Sequence, residues 1–376
     1  MNSKLNILIP DGHSTWTMSV VNCISTFKNY KLFILSDKKN TSVKFSRYTQ
    51  EYKFVKYDSD TERLQLILDE LKNNNIHLIL PIAEKTIQFL IENFESLSNH
   101  VKIIPLPKLA DFKIAINKFE LSKFLKEHDL PHPKSILIDC KKSFEDFERD
   151  FTFPILVKPL QEKGGDGIQK FTSIGLFKQF YIDQVLFVQE YINGYDIDCS
   201  VLCDKGKILN YTIQKGNLAG HNQFAPQLGL EFLENEEVLE VVSHLMELLN
   251  WSGVAHIDLR YDAYNKNYKI IEINARFWGS VEASKIAGIN FPQLVIESAL
   301  GNSNSSLEYK PITYLRFKGF LKTVKRNPLT IFNIKFILNY TEARSVLKDP
   351  LPTLYKFREW LGRIISFKSA LLIYFI

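Results

Sequence analysis

Cysteine, glycine and proline are all scarce in this chain of 376 residues, at 4, 16 and 14. The cysteines, Cys23, Cys140, Cys199 and Cys203, form no CxxC pair and have no histidines at zinc-finger spacing. That excludes a disulfide scaffold and the common zinc motifs and fits a reduced, cytoplasmic protein. The low glycine and proline content excludes collagen-like and low-complexity chains. The longest uninterrupted apolar run, Ala370–Ile376, is far short of the roughly 20 residues a membrane-spanning helix needs. No small-residue cleavage site follows the first strand-like run, so no signal peptide is expected. Two nucleotide fingerprints are also missing: no GxGxxG follows the first strand, and GxxxxGK[ST] does not occur.

What is present is a globular composition: 45% hydrophobic, 24% charged, with 47 Lys/Arg against 42 Asp/Glu and a net charge of +5. Apolar content is ordinary and charge per residue small, which excludes a disordered chain. The length predicts two or three domains. The charge is uneven. Residues 311–376 hold 12 basic and 3 acidic residues, a net +9, and residues 1–310 carry a net −4. A basic-surface argument therefore concerns only the last sixth of the chain.

Strand-like and helix-like segments alternate through the first third. NILIP (Asn6–Pro10), KLFILS (Lys31–Ser36), HLILPI (His77–Ile82) and Val101–Pro105 read as strands. Helices are predicted over 17–30, 61–75 and 84–94. Such alternation predicts a parallel sheet with helices on both faces, a Rossmann-like domain without its phosphate loop. Residues 110–128 read as one helix, with Phe112, Ile116, Phe119, Phe124 and Leu125 on the buried side. From residue 135 the texture is strands and hairpins: 135–138, 154–159, 167–172, 186–192, 196–203 and 207–214, with a turn at Asp204-Lys205-Gly206. A helix over 236–250, a strand pair at 255–261 and 268–273, and a helix over 280–300 follow. Gly301–Ser306 reads as a linker.

The strongest chemical signal lies on that last strand pair. Glu272 and Asn274 in KIIEINARFWGS are two residues apart and so share a face. Hairpin pairing can bring Asp258 of HIDLRY beside them. Two carboxylates and an amide oxygen make a hard oxygen cluster that suits Mg²⁺. Arg276, two residues further, adds a fixed positive charge suited to polyphosphate. The alternative is the solvated outer face of a hairpin. Upstream, Lys158 sits in the apolar strand PILVKP and requires an anion there. The turn Glu162-Lys-Gly-Gly-Asp-Gly167 can fold its backbone over phosphate oxygens, although alone it is an ordinary hairpin. In VQEYINGYD, Glu190 could accept an adenine amino group and Asp196 ribose hydroxyls. By itself this is a strand leaving the core. Lys118 alone is a routine exposed lysine.

The order of these pieces resembles the ATP-grasp superfamily, specifically its carboxylate–amine ligase and carbamoyl-phosphate-synthase-like branch. The matching features are Lys118, ILVKP with Lys158, EKGGDG, VQEYINGYDIDCSVL, HIDLRY, IIEINARFWGS and AGINFP, over about residues 110–300. The resemblance implies an α/β chain with an α+β ATP-grasp fold: a Rossmann-like leading domain over 1–109, an ATP-grasp domain over 110–305 whose smaller subdomain (about 135–190) and larger subdomain (about 190–305) clamp ATP, and a basic, mainly helical C-terminal extension over 306–376. It implies that Lys118 and Lys158 hold the phosphates, and that Lys163, Gly164, Gly165 and Gly167 form the loop that closes over them. Gln189, Glu190 and Ile192 fall at the adenine hinge and Asp196 at the ribose. Asp258, Glu272 and Asn274 fall at the ligands of two Mg²⁺ ions, with Mn²⁺ able to replace them. Arg276, with Lys158, falls at the transferred phosphate. Asp258 stands where several branches have Glu, and Ala275 where proline is frequent; neither removes a functional group.

The implied reaction activates a carboxylate as an acyl-phosphate and condenses it with an amine, releasing ADP and phosphate. Alternatives are activation of carbonate or carbamate, as in carbamoyl phosphate synthesis, and a nucleotide-binding scaffold without turnover. The expected partners are a small carboxylic acid and an amine, amino acids among them, with a homodimer as a compatible assembly. Their contacts are expected from the first domain, Lys215–Leu230 and Phe277–Ser280. His221 and His256 read as structural or surface histidines before substrate ones. The basic extension reads as a helical element packed on the core, with peripheral contact to the inner face of an anionic membrane as the second reading. No recognition motif accompanies its charge, so nucleic acid is not expected.

Overall fold

The computed structural model describes residues 4–27, 29–138, 147, 151–159, 167–180, 185–220, 224–302 and 306–374, with side chains in the last helix to residue 363. The first third forms β1 (Leu5–Ile9), α1 (Thr17–Ile24), β2 (Tyr30–Ser36), β3 (Thr49–Phe54), α2 (Asp60–Asn73), β4 (Leu78–Ile79), α3 (Glu84–Glu92), α4 (Phe94–Ser98) and β5 (Lys102–Ile103). The strands make one parallel sheet in the order β3-β2-β1-β4-β5. Alternate residues serve opposite faces, as strand geometry requires. Ile7, Ile9, Leu32 and Ile34 pack with Val20 and Val21 of α1. Leu8, Phe33 and Leu35 pack with Ile67 and Leu71 of α2 and Leu90 of α3. Strand β3 (TQEYKF) is an edge strand without fully buried residues, and hydrophobic patterning did not reveal it.

The helix expected over 110–128 is two helices, α5 (Leu109–Ile116) and α6 (Lys118–Glu127). Asn117 between them is extended, and its side chain accepts from the backbone of Phe119 and Glu120. An asparagine that caps the helix after it competes with continuing the helix before it. Lys118 thereby stands in the first turn of α6.

A four-stranded sheet follows, in the order β6-β9-β7-β8: β6 (Ser135–Ile138), β7 (Ile155–Lys158), β8 (Gln169–Phe171) and, after α7 (Ile174–Phe180), β9 (Leu186–Glu190). Its core joins Ile155, Val157 and Val188 to Phe147, Phe171 and Phe177. Next come β10 (Gly194–Asp204), β11 (Lys207–Leu218), β12 (Gly229–Phe232), α8 (Glu236–Leu248), β13 (Gly253–Asp262) and β14 (Asn267–Asn274). With β15 (Thr313–Leu315) they form a six-stranded sheet in the order β14-β13-β10-β11-β12-β15. Its apolar face, including Ile197, Cys199, Val201, Ala255 and Ile257, packs on Val242 and Leu245 of α8 and on Phe112 of α5. The opposite face carries the polar residues treated below.

The single helix expected over 280–300 is also two, α9 (Val281–Ala287) and α10 (Phe291–Ala299). Gly288 at φ 131° ends the first, a conformation L side chains rarely adopt. Pro292 sits in the first turn of the second, where its missing N–H costs nothing. The remaining elements are α11 (Phe317–Arg326), α12 (Ile334–Tyr340), α13 (Ala343–Lys348) and α14 (Leu351–Tyr374). This end touches the first sheet's domain: Asp349 accepts from Ser46 Oγ at 2.5 Å and the Arg47 amide at 3.3 Å, and Phe45 stacks on Tyr355. Among the described residues, 12 of the 17 exposed large apolar side chains lie between Phe317 and Leu361. Among the described residues no helix is long and apolar enough to cross a membrane.

Candidate active site

The polar face of the six-stranded sheet is built by register. Asp198 stands opposite both Gln214 and Asp258, and Asp258 opposite Glu272, so one rung across β11, β10, β13 and β14 reads Gln214, Asp198, Asp258, Glu272. Two residues along, the next rung reads Thr212, Ser200, His256, Asn274. Pairing slips between Asp258 and Leu259, which leaves Ile271 as an extra residue on β14. This bulge lets Ile270 and Ile273 both join the core while Glu272 and Asn274 keep the polar face, the kind of re-aiming bulges supply.

Side-chain hydrogen bonds link Arg276, Asn274 and Asp258 in a row. Asn274 Nδ2 donates to Asp258 Oδ2 at 3.1 Å, and Asn274 Oδ1 accepts from Arg276 at 2.6 Å. Arg276 is buried; it donates to the Phe277 carbonyl at 2.9 Å and pairs with Glu84 of α3 at 3.2 Å. Its guanidinium also lies 5.8 Å from the Trp16 ring centre. The first domain thus supplies two contacts that hold Arg276, and no periodic signal in the sequence announces either one.

The cations approach from two other elements. Lys118 Nζ lies 3.6 Å from Glu272 Oε2. Lys158, at the end of β7, is buried and donates to Gln189 Oε1 at 2.7 Å; Gln189 in turn donates to Ser135 Oγ at 3.2 Å. Burial, reinforced by the neighbouring charge of Lys118, lowers the Lys158 ammonium to about 8 against the attraction of Glu272, Asp258 and Asp196. Glu272 is raised, first by burial and then by the facing charge of Asp258.

Asp198 and His256 are functional candidates the motif reading did not include as ligands. His256 Nε2 lies 3.2 Å from Asp258 and 4.0 Å from Asp198, its Nδ1 is 2.9 Å from Ser200 Oγ, and its ring stacks on Trp278 at 5.3 Å. Asp198, His256 and Asp258 each place a ligand atom within 4.8 Å of the others. Burial and then the charge of Asp258 raise Asp198 to about 7. Burial also pushes Asp258 up, but the hydrogen bond and charge of His256 outweigh it and leave Asp258 lowered. His256 is raised because its bond to Asp258 and both carboxylate charges exceed the cost of burial. The spacing of Asp196, Asp198 and Ser200 on one strand face was the available signal.

The expected hinge residues have protein partners. Glu190 accepts from Lys269 at 2.7 Å, and Lys269 also pairs with Asp262 at 3.1 Å. Arg260 grips the 192–196 segment, donating to the carbonyls of Ile192 at 2.7 Å and Gly194 at 2.9 Å and to the Asp196 carboxylate. Asn193-Gly194 is not a free turn, since Gly194 opens β10 against β13. A Cβ there would sit 1.7 Å from the Tyr261 carbonyl oxygen, so only glycine permits the approach. Gly167 stands just before β8 at φ 74°. Lys163, Gly164, Gly165 and His221 lie outside the described residues.

Comparison with known proteins gives this arrangement a context. The family described as ATP-grasp in the biosynthetic pathway with Ter operon matches residues 183–318. The carbamoyl phosphate synthase large chain of Thermoanaerobacter sp. (strain X514) is 24% identical over 230 residues, 56% of this chain and 21% of that protein. The D-aspartate ligase of Enterococcus faecium (strain Aus0004) is 22% identical over 261 residues, 60% of this chain and 59% of that protein. The chain thus spans about a fifth of the first relative's length and three-fifths of the second's. N5-carboxyaminoimidazole synthetase from Staphylococcus aureus, solved in complex with ADP, superposes with a TM-score of 0.69 at 15% identity, covering 88% of this chain and 87% of that one.

Proposed function

We propose that this chain, which has the ATP-grasp fold and carries that superfamily's motifs in order, is an ATP-dependent ligase joining a small carboxylic acid to an amine. The observation that carries the reading is the convergence of three elements. Lys118 of α6 approaches Glu272, Lys158 of β7 lies near enough to Glu272 and Asp258 for their charges to act on it, and Arg276 reaches Asn274. Such a set neutralises a polyphosphate from several sides, which is most of what phosphoryl transfer requires of a protein. The domain boundaries at about 109 and 305 belong to the same reading.

In the proposed reaction a carboxylate oxygen of the acid attacks the γ-phosphorus of ATP. The bond to ADP breaks and an acyl-phosphate forms. The amine nitrogen then attacks the acyl carbon, phosphate leaves, and the nitrogen gives up a proton. Lys158, Lys118 and Arg276 balance the phosphate charge. Gln189, Glu190 and Ile192 border the adenine, Asp196 the ribose, and Lys163–Gly167 the phosphates. Asp258, Glu272 and Asn274 offer a hard oxygen donor set on two paired strands, and this fits Mg²⁺ or Mn²⁺. When bound, the metal supplies charge neutralisation between phosphate oxygens. Acids and amines of the amino-acid class fit the D-aspartate ligase relationship.

The test is ADP release over a panel of amino acids and small acids. Turnover that needs both an acid and an amine supports the reading. Turnover with bicarbonate alone favours carbonate activation. Nucleotide binding without turnover across the panel favours a scaffold. A Glu272→Ala variant with full activity would remove the metal assignment.

The basic end is proposed to rest on an anionic membrane surface. Leu329 and Phe332 are more than 70% exposed, and they lie in a segment of net charge +9. Exposed apolar groups among lysines are the composition of interfacial helices.

A further inference from the structure

The C-terminal helices help to line a cavity, none of whose lining residues belongs to the candidate active site. It has a volume of about 510 Å³ and lies between the end of α1, helix α9, and the α12–α13 segment. Its one carboxylate, Glu282, is buried and already engaged: it accepts from Asn22 Nδ2 at 3.1 Å and from Ser345 Oγ. Four cations line the same cavity, namely Lys285, Lys310, Arg344 and Lys348. Lys285 donates to the Asn22 carbonyl at 2.8 Å. Among the described residues no carboxylate lies within 4 Å of any of the four side-chain cations.

Four cations against the single carboxylate of Glu282 leave the lining net positive. Burial lowers the Lys285 ammonium against the opposing influence of Cys23 and Glu282, and Lys348 and Arg344 lie close enough to add to the lowering. Lys310, Arg344 and Lys348 are exposed and Lys285 is half-buried, so the cluster is open to solvent and an anion can complete it through charge-assisted hydrogen bonds. The arrangement is also not a property of one basic helix. Lys285 comes from the core, Lys310 from the segment before β15, and Arg344 and Lys348 from α13. Ile286 and Tyr340 beside them offer apolar surface for a carbon skeleton.

We propose that this cavity is a binding site for a small molecule bearing a phosphate or pyrophosphate group, separate from the nucleotide face. Its occupant would tie the C-terminal helices to the core through α9, the helix that follows Arg276 in the chain. The site does not depend on the ligase reading, because its test measures binding alone.

Inorganic pyrophosphate is the probe, titrated calorimetrically into the full-length K118M/K158M chain, so that the cations of the nucleotide face do not contribute. The expected result is one saturable site. Adding R344Q/K348Q should weaken it by at least about tenfold, since each charge-assisted hydrogen bond is worth roughly a decade or more. Both residues are exposed, so the fold is retained, which an unchanged melting temperature without pyrophosphate verifies. Wild-type chain saturated with MgADP must show the same difference upon R344Q/K348Q substitution. Absence of binding up to about 10 mM pyrophosphate, at a Kd scale where the free energy gained is under 3 kcal/mol, would overturn the proposal. So would equal binding by the R344Q/K348Q chain, or binding abolished equally by matched sodium chloride.

Discussion

Lys158 donates to the amide oxygen of Gln189 at 2.7 Å, across the β7–β9 pair, so a neutral partner rather than a carboxylate receives this buried ammonium. The arrangement leaves the charge available to a phosphate. It also makes Lys158 costly to the empty protein, because its pKa is about 8 in the fold against 10.5 for an ordinary lysine. The native state thus binds this proton less tightly than the unfolded chain does. The cost is fully present below pH 8 and is relieved as pH rises toward 10.5. Lys158→Met keeps the length and removes the charge. It should melt higher than wild type at pH 7, with the difference closing by about pH 10.5, while ATP turnover is lost. Calorimetric melting across pH 7–10.5 checks this, and a constant difference over that range contradicts it.

Glu272 sits directly opposite Asp258 in register and is raised by burial and by that carboxylate. Both features mark a position arranged to receive a cation. Glu272→Gln preserves shape and removes one negative charge. ADP release should fall by about 10²–10³-fold, the scale of loss when one preorganised electrostatic contact is removed, and the Mg²⁺ needed for half-activity should rise. A variant with unchanged Mg²⁺ dependence would place the cation elsewhere on the Asp198–His256–Asp258 side.

Gly194 touches the backbone of Tyr261 so closely that no side chain fits. Gly194→Ala must push β10 from β13 at the segment Arg260 holds. A loss of about 1–3 kcal/mol in urea unfolding is expected, as for other overpacked sites. Nucleotide affinity should weaken as well, because Ile192 and Asp196 flank the displaced residue. Stability unchanged within error would show that the strand can shift at no cost.

Much of the site was legible because it rests on period-two spacing within strands. Glu272 and Asn274 could be assigned to one face from their separation alone, and Asp198 could have joined them through its spacing from Asp196. Contacts between sequentially distant elements were not legible. Nothing near Glu84 in the chain indicates that it pairs with Arg276, and the bulge at Ile271 exists only when β13 and β14 are laid side by side. In the fold, buried strands such as β1 and β2 read clearly, while the exposed edge strand β3 had no apolar run to betray it. The two split helices failed for local reasons, an asparagine cap at Asn117 and the Gly288–Pro292 pair.

The C-terminal end exposes Leu329 and Phe332 on a short 3₁₀ helix between α11 and α12, with Lys325, Arg326 and Lys335 nearby in the chain. If this surface rests on anionic lipid, the two side chains enter the headgroup boundary while the lysines remain at its charged level. Full burial of a Leu or Phe is worth roughly 1.5–3 kcal/mol each. L329E/F332E should therefore lower partition onto phosphatidylglycerol vesicles by well over tenfold, and the variant should melt as wild type does because both positions face solvent. Wild-type binding should also fall steeply between about 0.05 and 0.5 M salt, as screening shortens the reach of the basic residues. Co-sedimentation with vesicles measures both effects. Equal sedimentation of the two chains, or equal binding to vesicles without anionic lipid, contradicts the membrane placement and leaves the packed-helix reading of this segment.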